Sequence, residues 1–336
     1  MRRIKTLVGG LLSLSTATLL ALSGAGIATA SPGANDGGAS DAVTVHRVDG
    51  SGSADYWTPE RMRTAVSGEV LAEKALKRAG NQGGFAAQAE KGVASEIPGI
   101  PHPDTKATKD PLFARKGGGS VTPVPHIGKV FFTLAGTNYV CSGNSVTSSN
   151  RSTVSTAGHC LNEGPGAFAS NFIFVPAYLN GSAPYGKWTA KALYAPTQWS
   201  TSGSMQYDTG FAVMGTLNGQ RLADVVGASG VKFNAQSGLS YTAFGYPAAP
   251  PFDGQSLWSC SGKATKDPYN PQFNTQGIAC NMNGGSSGGP WFIGTGSGGY
   301  QNSVNSYGYG SNSNKMYGPY WGSVIEQTYL GAAAAG

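Results

Sequence analysis

From Gly117 to the C-terminus the apolar runs are short, and each is ended by Gly, Ser, Asn or Pro. Such punctuation leaves room for strands and for almost nothing of helical period. Lys129 to Leu134, Tyr139 to Val146, Arg151 to Thr156, Phe172 to Tyr178, Trp188 to Tyr194, Thr209 to Met214, Leu239 to Tyr246 and Gly277 to Cys280 read as strands. Ser148-Ser149-Asn150 reads as the hairpin turn between two of them. Only Tyr320 to Leu330 offers a helix, and Tyr300 to Tyr320 reads as a long surface loop with one strand in it. The expected fold class is all-β, as a barrel pair or a sandwich. About 220 residues bury a sizeable core, more than one small barrel accommodates.

The N-terminal part is different. Arg2, Arg3 and Lys5 precede an apolar core from Leu7 to Leu22, and Ala28-Thr29-Ala30 has the small-x-small pattern of a leader cleavage site. The apolar stretch is short against the roughly 20 residues of a membrane span. Residues 1–30 are therefore expected to be a signal peptide and the protein to be secreted. Residues 31–116 carry eleven basic and eleven acidic residues with little aromatic content. Thr58-Pro59 and Gly80 bracket one helix from Glu60 to Ala79, and Ile97 to Pro103 is too rich in proline for helix or central strand. This reads as a partly helical propeptide, cut within about 116–126, rather than an accessory domain, and it leaves 117–336 as the functional domain.

In 117–336 nine Lys or Arg stand against six acids, a formal +3 without a basic cluster, so nothing marks a nucleic-acid surface. The four cysteines fall into two local pairs, Cys141 with Cys160 and Cys260 with Cys280. Of three connectivities the local one is favoured, because each pair brackets hairpin or loop chain in a protein bound for an oxidising compartment. A zinc site has no Cys-x-x-Cys spacing to support it. No metal and no cofactor is expected.

Histidine is scarce, and that narrows the chemistry. His46 and His102 lie in the expected propeptide and His126 lies between prolines and the first strand, which leaves His159 in Thr156-Ala157-Gly158-His159-Cys160 as the candidate base. The candidate nucleophile is Ser287, in Asn283-Gly284-Gly285-Ser286-Ser287-Gly288-Gly289-Pro290-Trp291. A serine hydroxyl becomes nucleophilic when a positioned imidazole takes its proton, and the imidazole needs a carboxylate to hold its tautomer. Asp208 is preferred over Glu163, Asp224, Asp253 and Asp267 because it opens an apolar run that can fix and desolvate it. The glycines around Ser287 let backbone N–H groups converge, and Gly285 and Ser287 are the expected oxyanion donors.

The order His, Asp, Ser excludes other serine-hydrolase plans. Gly285-x-Ser287-x-Gly289 matches a nucleophile elbow, but no histidine follows it, and no Asp lies between Gly117 and His159 as a subtilisin-type order requires. Cys141-Ser142-Gly143-Asn144-Ser145-Val146, the His159 and Ser287 motifs and Asp208 before an apolar strand resemble the chymotrypsin/trypsin-like serine peptidases. They are most similar to the exported bacterial branch that includes glutamyl endopeptidases. The resemblance, over about 120–336, implies two packed antiparallel six-stranded β-barrels, a Cys141–Cys160 disulfide and endopeptidase chemistry through an acyl-enzyme. It implies His159 as general base and acid, Asp208 as its orienting partner and Ser287 as nucleophile.

Two positions depart from that pattern. Animal members carry Asp immediately before the nucleophile, to bind the new N-terminus on activation; here it is Ser286. Members that cleave after Glu place a histidine where this chain has Asn305. Trypsin-like preference would need an acid around Asn281-Met282, and there is none, so Asn281, Met282, Asn305, Ser306 and Gly308 stand as candidates for the specificity pocket. The expected partners are protein or peptide substrates, with no nucleic acid, no membrane after leader removal, and a monomeric state. The rival readings are an esterase-type hydrolase on the same fold and a non-catalytic exported binding protein.

Overall fold

The stretch before the β-rich region has few apolar residues, and its described part packs on the core that follows. In a computed structural model the chain is described over residues 42–81, 91–103, 119–310 and 314–336. The expected signal peptide, residues 1–30, lies outside these residues, and the region of the expected cut, 116–126, lies partly outside them. β1 (Val43–Arg47) adds antiparallel to Ala192–Pro196, and α1 (Ser53–Tyr56) leads to Trp57, which is fully buried against Phe131. The Trp57 indole N–H donates to the Asn171 carbonyl at 2.6 Å, so the ring is buried without leaving its polar atom unpaired.

One helix from Glu60 to Ala79 is not what forms. α2 (Pro59–Thr64) starts as expected, with the Thr58 side chain capping Arg61 N–H and Pro59 in the first turn. It then stops, and β2 (Val66–Ser67) pairs parallel with Tyr139–Val140 before α3 (Glu69–Asn81) begins. Gly68 is a poor helix former, and its N–H is taken by the Val140 carbonyl at 2.9 Å. A tertiary hydrogen-bond ladder has replaced the local helical one. β3 (Ser95–Ile97) and β4 (Gly119–Ser120) each add to an edge of the C-terminal half.

The body is mostly β. β5 (Ile127–Leu134), β6 (Thr137–Val146), β7 (Thr153–Thr156), β8 (Ser170–Pro176), β9 (Trp188–Pro196) and β10 (Gly210–Met214) form a closed antiparallel barrel of six strands in the order β9-β10-β7-β6-β5-β8, with β8 pairing back to β9. α4 (Thr197–Ser202) and α5 (Leu222–Val226) are short connections. Beyond them lie β11 (Val231–Phe233), β12 (Ser240–Gly245), β13 (Trp258–Lys263), β14 (Thr265–Lys266), β15 (Thr275–Ala279), β16 (Pro290–Ile293), β17 (Gln301–Val304) and β18 (Lys315–Pro319).

These build one sheet in the order β3-β11-β17-β16-β12-β13-β4 and a three-stranded sheet β14-β15-β18. Tyr241, Cys260, Ile278, Trp291 and Met316 from both sheets share one core. α6 (Ser323–Ala334) returns to the first barrel, where Tyr329 packs on Phe211 and donates to the Thr147 carbonyl at 2.6 Å.

Among its described residues the stretch from Tyr300 to Tyr320 holds two strands and is largely buried, where a surface loop with one strand was expected. Its buried polar side chains are satisfied by partners far away in sequence. Gln301 Oε1 accepts from Asn144 Nδ2 at 2.7 Å and from Ser155 Oγ at 2.9 Å, which removes the penalty that burial of an unpaired amide carries. The disulfides are Cys141–Cys160 and Cys260–Cys280, the local pairing.

Candidate active site

β7 ends at Thr156, and the chain turns through the 3₁₀ segment Gly158–Cys160 with His159 at its centre. Two constraints hold this turn. Cys160 is bonded to Cys141 on β6, and a side chain on Gly158 would stand 2.9 Å from the Trp199 ring, so only glycine lets the turn seat against α4. A second 3₁₀ turn, Met205–Tyr207, delivers Asp208 just before β10, which pairs with β7. The two loops therefore leave adjacent strands on the same side of the barrel.

Asp208 is fully buried and its carboxylate is occupied from three directions. Oδ1 accepts the His159 backbone N–H at 2.8 Å, and Oδ2 accepts His159 Nδ1–H at 2.8 Å and the Ser306 hydroxyl at 2.5 Å. A carboxylate facing Nδ1 holds the neutral ring with its proton there, so Nε2 carries the lone pair. Nε2 is buried and has no hydrogen-bond partner among the described residues, so Ser287 Oγ is not bonded to it here. Ser287 itself is 4% exposed.

The Ser287 loop is held by the body of the protein. Ser142 N–H donates to the Ser287 carbonyl at 2.7 Å, and Ser142 Oγ donates to the Gly285 carbonyl at 2.9 Å. Gly285 and Gly288 have φ of 97° and 78°, a region that residues with a Cβ rarely adopt. Among the described residues neither Gly285 N–H nor Ser287 N–H is spent on a carbonyl, whereas Gly288 N–H and Gly289 N–H are.

The pocket candidates separate. Asn281 is exposed and Met282 is buried in the second core. Asn305 is not at a pocket surface: its amide donates to the carbonyls of Phe244 at 2.8 Å and Ser286 at 2.9 Å and accepts from Trp291 Nε1 at 2.7 Å. It braces the Ser287 loop. Ser306 spends its hydroxyl on Asp208, and Gly308 is half-buried. Of the acids set aside, Asp224 pairs with Arg151 and Arg221, and Asp267 is buried under the hydroxyls of Tyr307 and Tyr309.

Sequence reading missed two residues at this site. Ser142 follows Cys141 as an unremarkable strand serine, and Glu69 belongs to the N-terminal stretch. Glu69 reaches the loop, its Oε2 lying so near Gly284 that a Cβ there would collide with it, and burial raises its pKa, with the Glu73 charge adding to the shift. The Sγ atoms of Cys141 and Cys160 with the His159 ring are the one cluster of metal-binding atom types among the described residues, but both sulfurs are spent on the disulfide and offer no thiolate.

No family model matches the chain. Among solved structures it is similar to protease Anisep from Arthrobacter nicotinovorans, with 79% identity over 65% of this chain and 100% of that one, at a TM-score of 0.64. It is also similar to the thermostable serine protease AL20 from an extremophilic microorganism, with 51% identity over 63% of this chain and 98% of that one, at a TM-score of 0.61. A Glu endopeptidase shares the fold at 19% identity over 66% of this chain and 98% of that one, with a TM-score of 0.51. An extracellular metalloprotease of Bacillus subtilis (strain 168) is 30% identical over 146 residues, 42% of this chain and 44% of that protein, so the match spans under half of that relative's length. With the two near-complete matches to proteases and the barrel that carries His159 and Asp208, the chain belongs to the chymotrypsin-like serine proteases.

Proposed function

We propose that the protein is a secreted serine endopeptidase, made with a signal peptide at residues 1–30 and a propeptide at 31–116, that hydrolyses peptide bonds of protein or peptide substrates through an acyl-enzyme. Ser287 Oγ attacks the scissile carbonyl carbon as its proton passes to His159 Nε2. The carbonyl oxygen becomes an oxyanion, received by the N–H groups of Gly285 and Ser287. The C–N bond breaks as His159 returns the proton to the leaving amine. Water then attacks the ester with His159 again as base, and Ser287 leaves with the proton. Asp208 keeps the ring oriented and stabilises its cation. Two donors aimed at the developing charge lower the barrier because they need no reorganisation during the reaction.

The observation that carries this reading is the double contact of Asp208 with the backbone N–H and Nδ1 of His159, which leaves Nε2 as proton acceptor. An organophosphonate should label the mature protein at Ser287, and neither Ser287→Ala nor His159→Ala protein should be labelled. Each variant should lose at least about a thousandfold in kcat on a peptide substrate. Full peptidase activity in Ser287→Ala protein would overturn the assignment.

A further inference from the structure

Side chains of β5 alternate between two faces. Val130 and Phe132 belong to the core of the first barrel, whereas Ile127 and Phe131 share an apolar layer with Phe244, Tyr246 and Phe292 of the C-terminal half. Lys129 stands between Ile127 and Phe131 on that second face and is buried there. An ammonium in such a layer costs the fold stability, and burial lowers its pKa accordingly. The titratable groups around it are Asp253, whose charge opposes that shift, and Tyr178 with Tyr246 edge-on to it, both phenols pushed up by burial. What the amine holds is a backbone carbonyl, that of Gly254, at 2.8 Å.

Gly254 lies in the 246–257 loop between β12 and β13, and this loop leads to the nucleophile loop by contact. A Cβ on Gly254 would stand 2.8 Å from Ala248 Cβ, and a Cβ on Gly285 would stand 2.7 Å from the same atom, so Ala248 is wedged between the two glycines. Ala248 N–H and Ala249 N–H donate to the Gly284 carbonyl at 2.6 and 3.2 Å, and Asn283 Nδ2 donates back to the carbonyls of Ala249 at 2.8 Å and Pro250 at 3.1 Å. The Gly284 carbonyl and the Gly285 N–H are the two ends of one planar trans peptide and point in opposite directions. Fixing the carbonyl on the 246–257 loop therefore fixes where the N–H points.

We propose that Lys129 is a positioning residue for the oxyanion donor Gly285 N–H, acting through Gly254 and Ala248 on the Gly284–Gly285 peptide. The proposal rests on the peptidase reading above. Lys129 touches no substrate; it ties a strand of the first barrel to a loop of the C-terminal half, and the loop holds the donor in its direction before any charge develops on the substrate. Without the amine the Gly254 carbonyl loses its anchor, Ala248 gains freedom, and the Gly284–Gly285 peptide can rotate away from the position a transition state needs. Binding of the ground state depends less on that direction, so the loss falls on kcat.

The test compares matured wild type, Lys129→Met, Asn283→Ala and the double variant on a chromogenic peptide, with urea midpoints at pH 7. Lys129→Met keeps the apolar stem and removes the buried amine, so its urea midpoint should equal or exceed that of wild type while kcat falls about tenfold with KM little changed, less than the roughly hundredfold or greater loss of a whole donor. Because Lys129 and Asn283 hold the same loop, the double variant should lose much less in kcat than the product of the single losses. If Lys129→Met does not fold, Gly254→Ala breaks the link from its other side, a Cβ there standing 3.2 Å from Lys129 Nζ, and should show the same fall in kcat at little changed KM. An unchanged kcat, a loss confined to KM, a kcat that falls only together with the urea midpoint, or losses that multiply in the double variant would each overturn the positioning role and leave the peptidase reading standing. Wild type that neither cleaves the peptide nor takes an organophosphonate label would overturn the peptidase reading, and this proposal with it.

Discussion

Asp208 holds His159 by two bonds of 2.8 Å, one to the ring Nδ1 and one to the backbone N–H of the same residue. The carboxylate therefore sets both the direction of the ring and the position of the turn that carries it. In Asp208→Asn an amide that keeps the backbone bond turns its NH₂ toward Nδ1, which drives the ring to the tautomer with the proton on Nε2. The expected result is a fall in kcat of about 10⁴ with KM little changed, measured on a chromogenic peptide.

Ser306 should act through Asp208. Its hydroxyl donates to Oδ2 at 2.5 Å, and a hydrogen bond to a charged group is worth roughly 1.5–3 kcal/mol. Ser306→Ala should lower kcat by about ten- to a hundredfold, less than Asp208→Asn does. An unchanged kcat with a raised KM would place Ser306 at the substrate surface instead.

The Ser287 loop depends on glycine for space as well as for φ. At Gly288 a Cβ would stand 2.5 Å from the Ser142 carbonyl and 2.7 Å from Ala157 N, in addition to a clash with Thr156 Oγ1 and a φ of 78°. Gly288→Ala should lower stability by roughly 1–3 kcal/mol and reduce kcat with it. Urea denaturation and steady-state kinetics on the same preparation measure both.

Lys129 gives a pH dependence of stability. It is 2% exposed, its Nζ donates to the Gly254 carbonyl at 2.8 Å and faces the rings of Tyr178 and Phe131 at 4.6 and 5.0 Å. Burial pushes its pKa down to about 7, with the Asp253 charge opposing. The unfolded chain holds this proton up to about pH 10.4, so between about pH 7 and 10 the unfolded state binds more protons and stability rises with pH. Lys129→Met should remove that rise. Urea midpoints at pH 7 and 9, compared between the two proteins, test it.

Activation should not need an ion pair at the new N-terminus. Ser286, where an Asp would have served, is fully buried and donates its hydroxyl to the Asn283 carbonyl at 2.7 Å, so the loop is tied internally. Mature protein carrying one extra N-terminal residue should keep its kcat within about twofold, and a loss of about tenfold or more would contradict this.

Much of this molecule is legible in its sequence, and for local reasons. Alternating apolar runs cut by Gly, Asn, Ser and Pro are sufficient to mark a β-rich body, because strand period and turn chemistry are properties of a few neighbouring residues. The cysteine pairs, separated by 19 and 20 positions, and the scarcity of histidine, with His126 and His159 alone after residue 116, likewise narrow the reading without reference to distant residues.

Tertiary structure decided what depends on register between segments far apart. Gln301, Asn302 and Ser303 look like loop residues and form a buried strand because Asn144, Ser155, Tyr241 and Pro319 meet their polar atoms. Ser306 belongs to Asp208, 98 positions earlier, and Asn305 to the Ser287 loop. The helical pattern from Glu60 to Ala79 breaks at Val66–Ser67 because the edge of β6 offers hydrogen bonds that a local pattern does not contain. That break brings Gly68 and Glu69 over His159 and Gly284. Whether a polar group is satisfied, and by whom, is set by the folded arrangement and not by its neighbours in the chain.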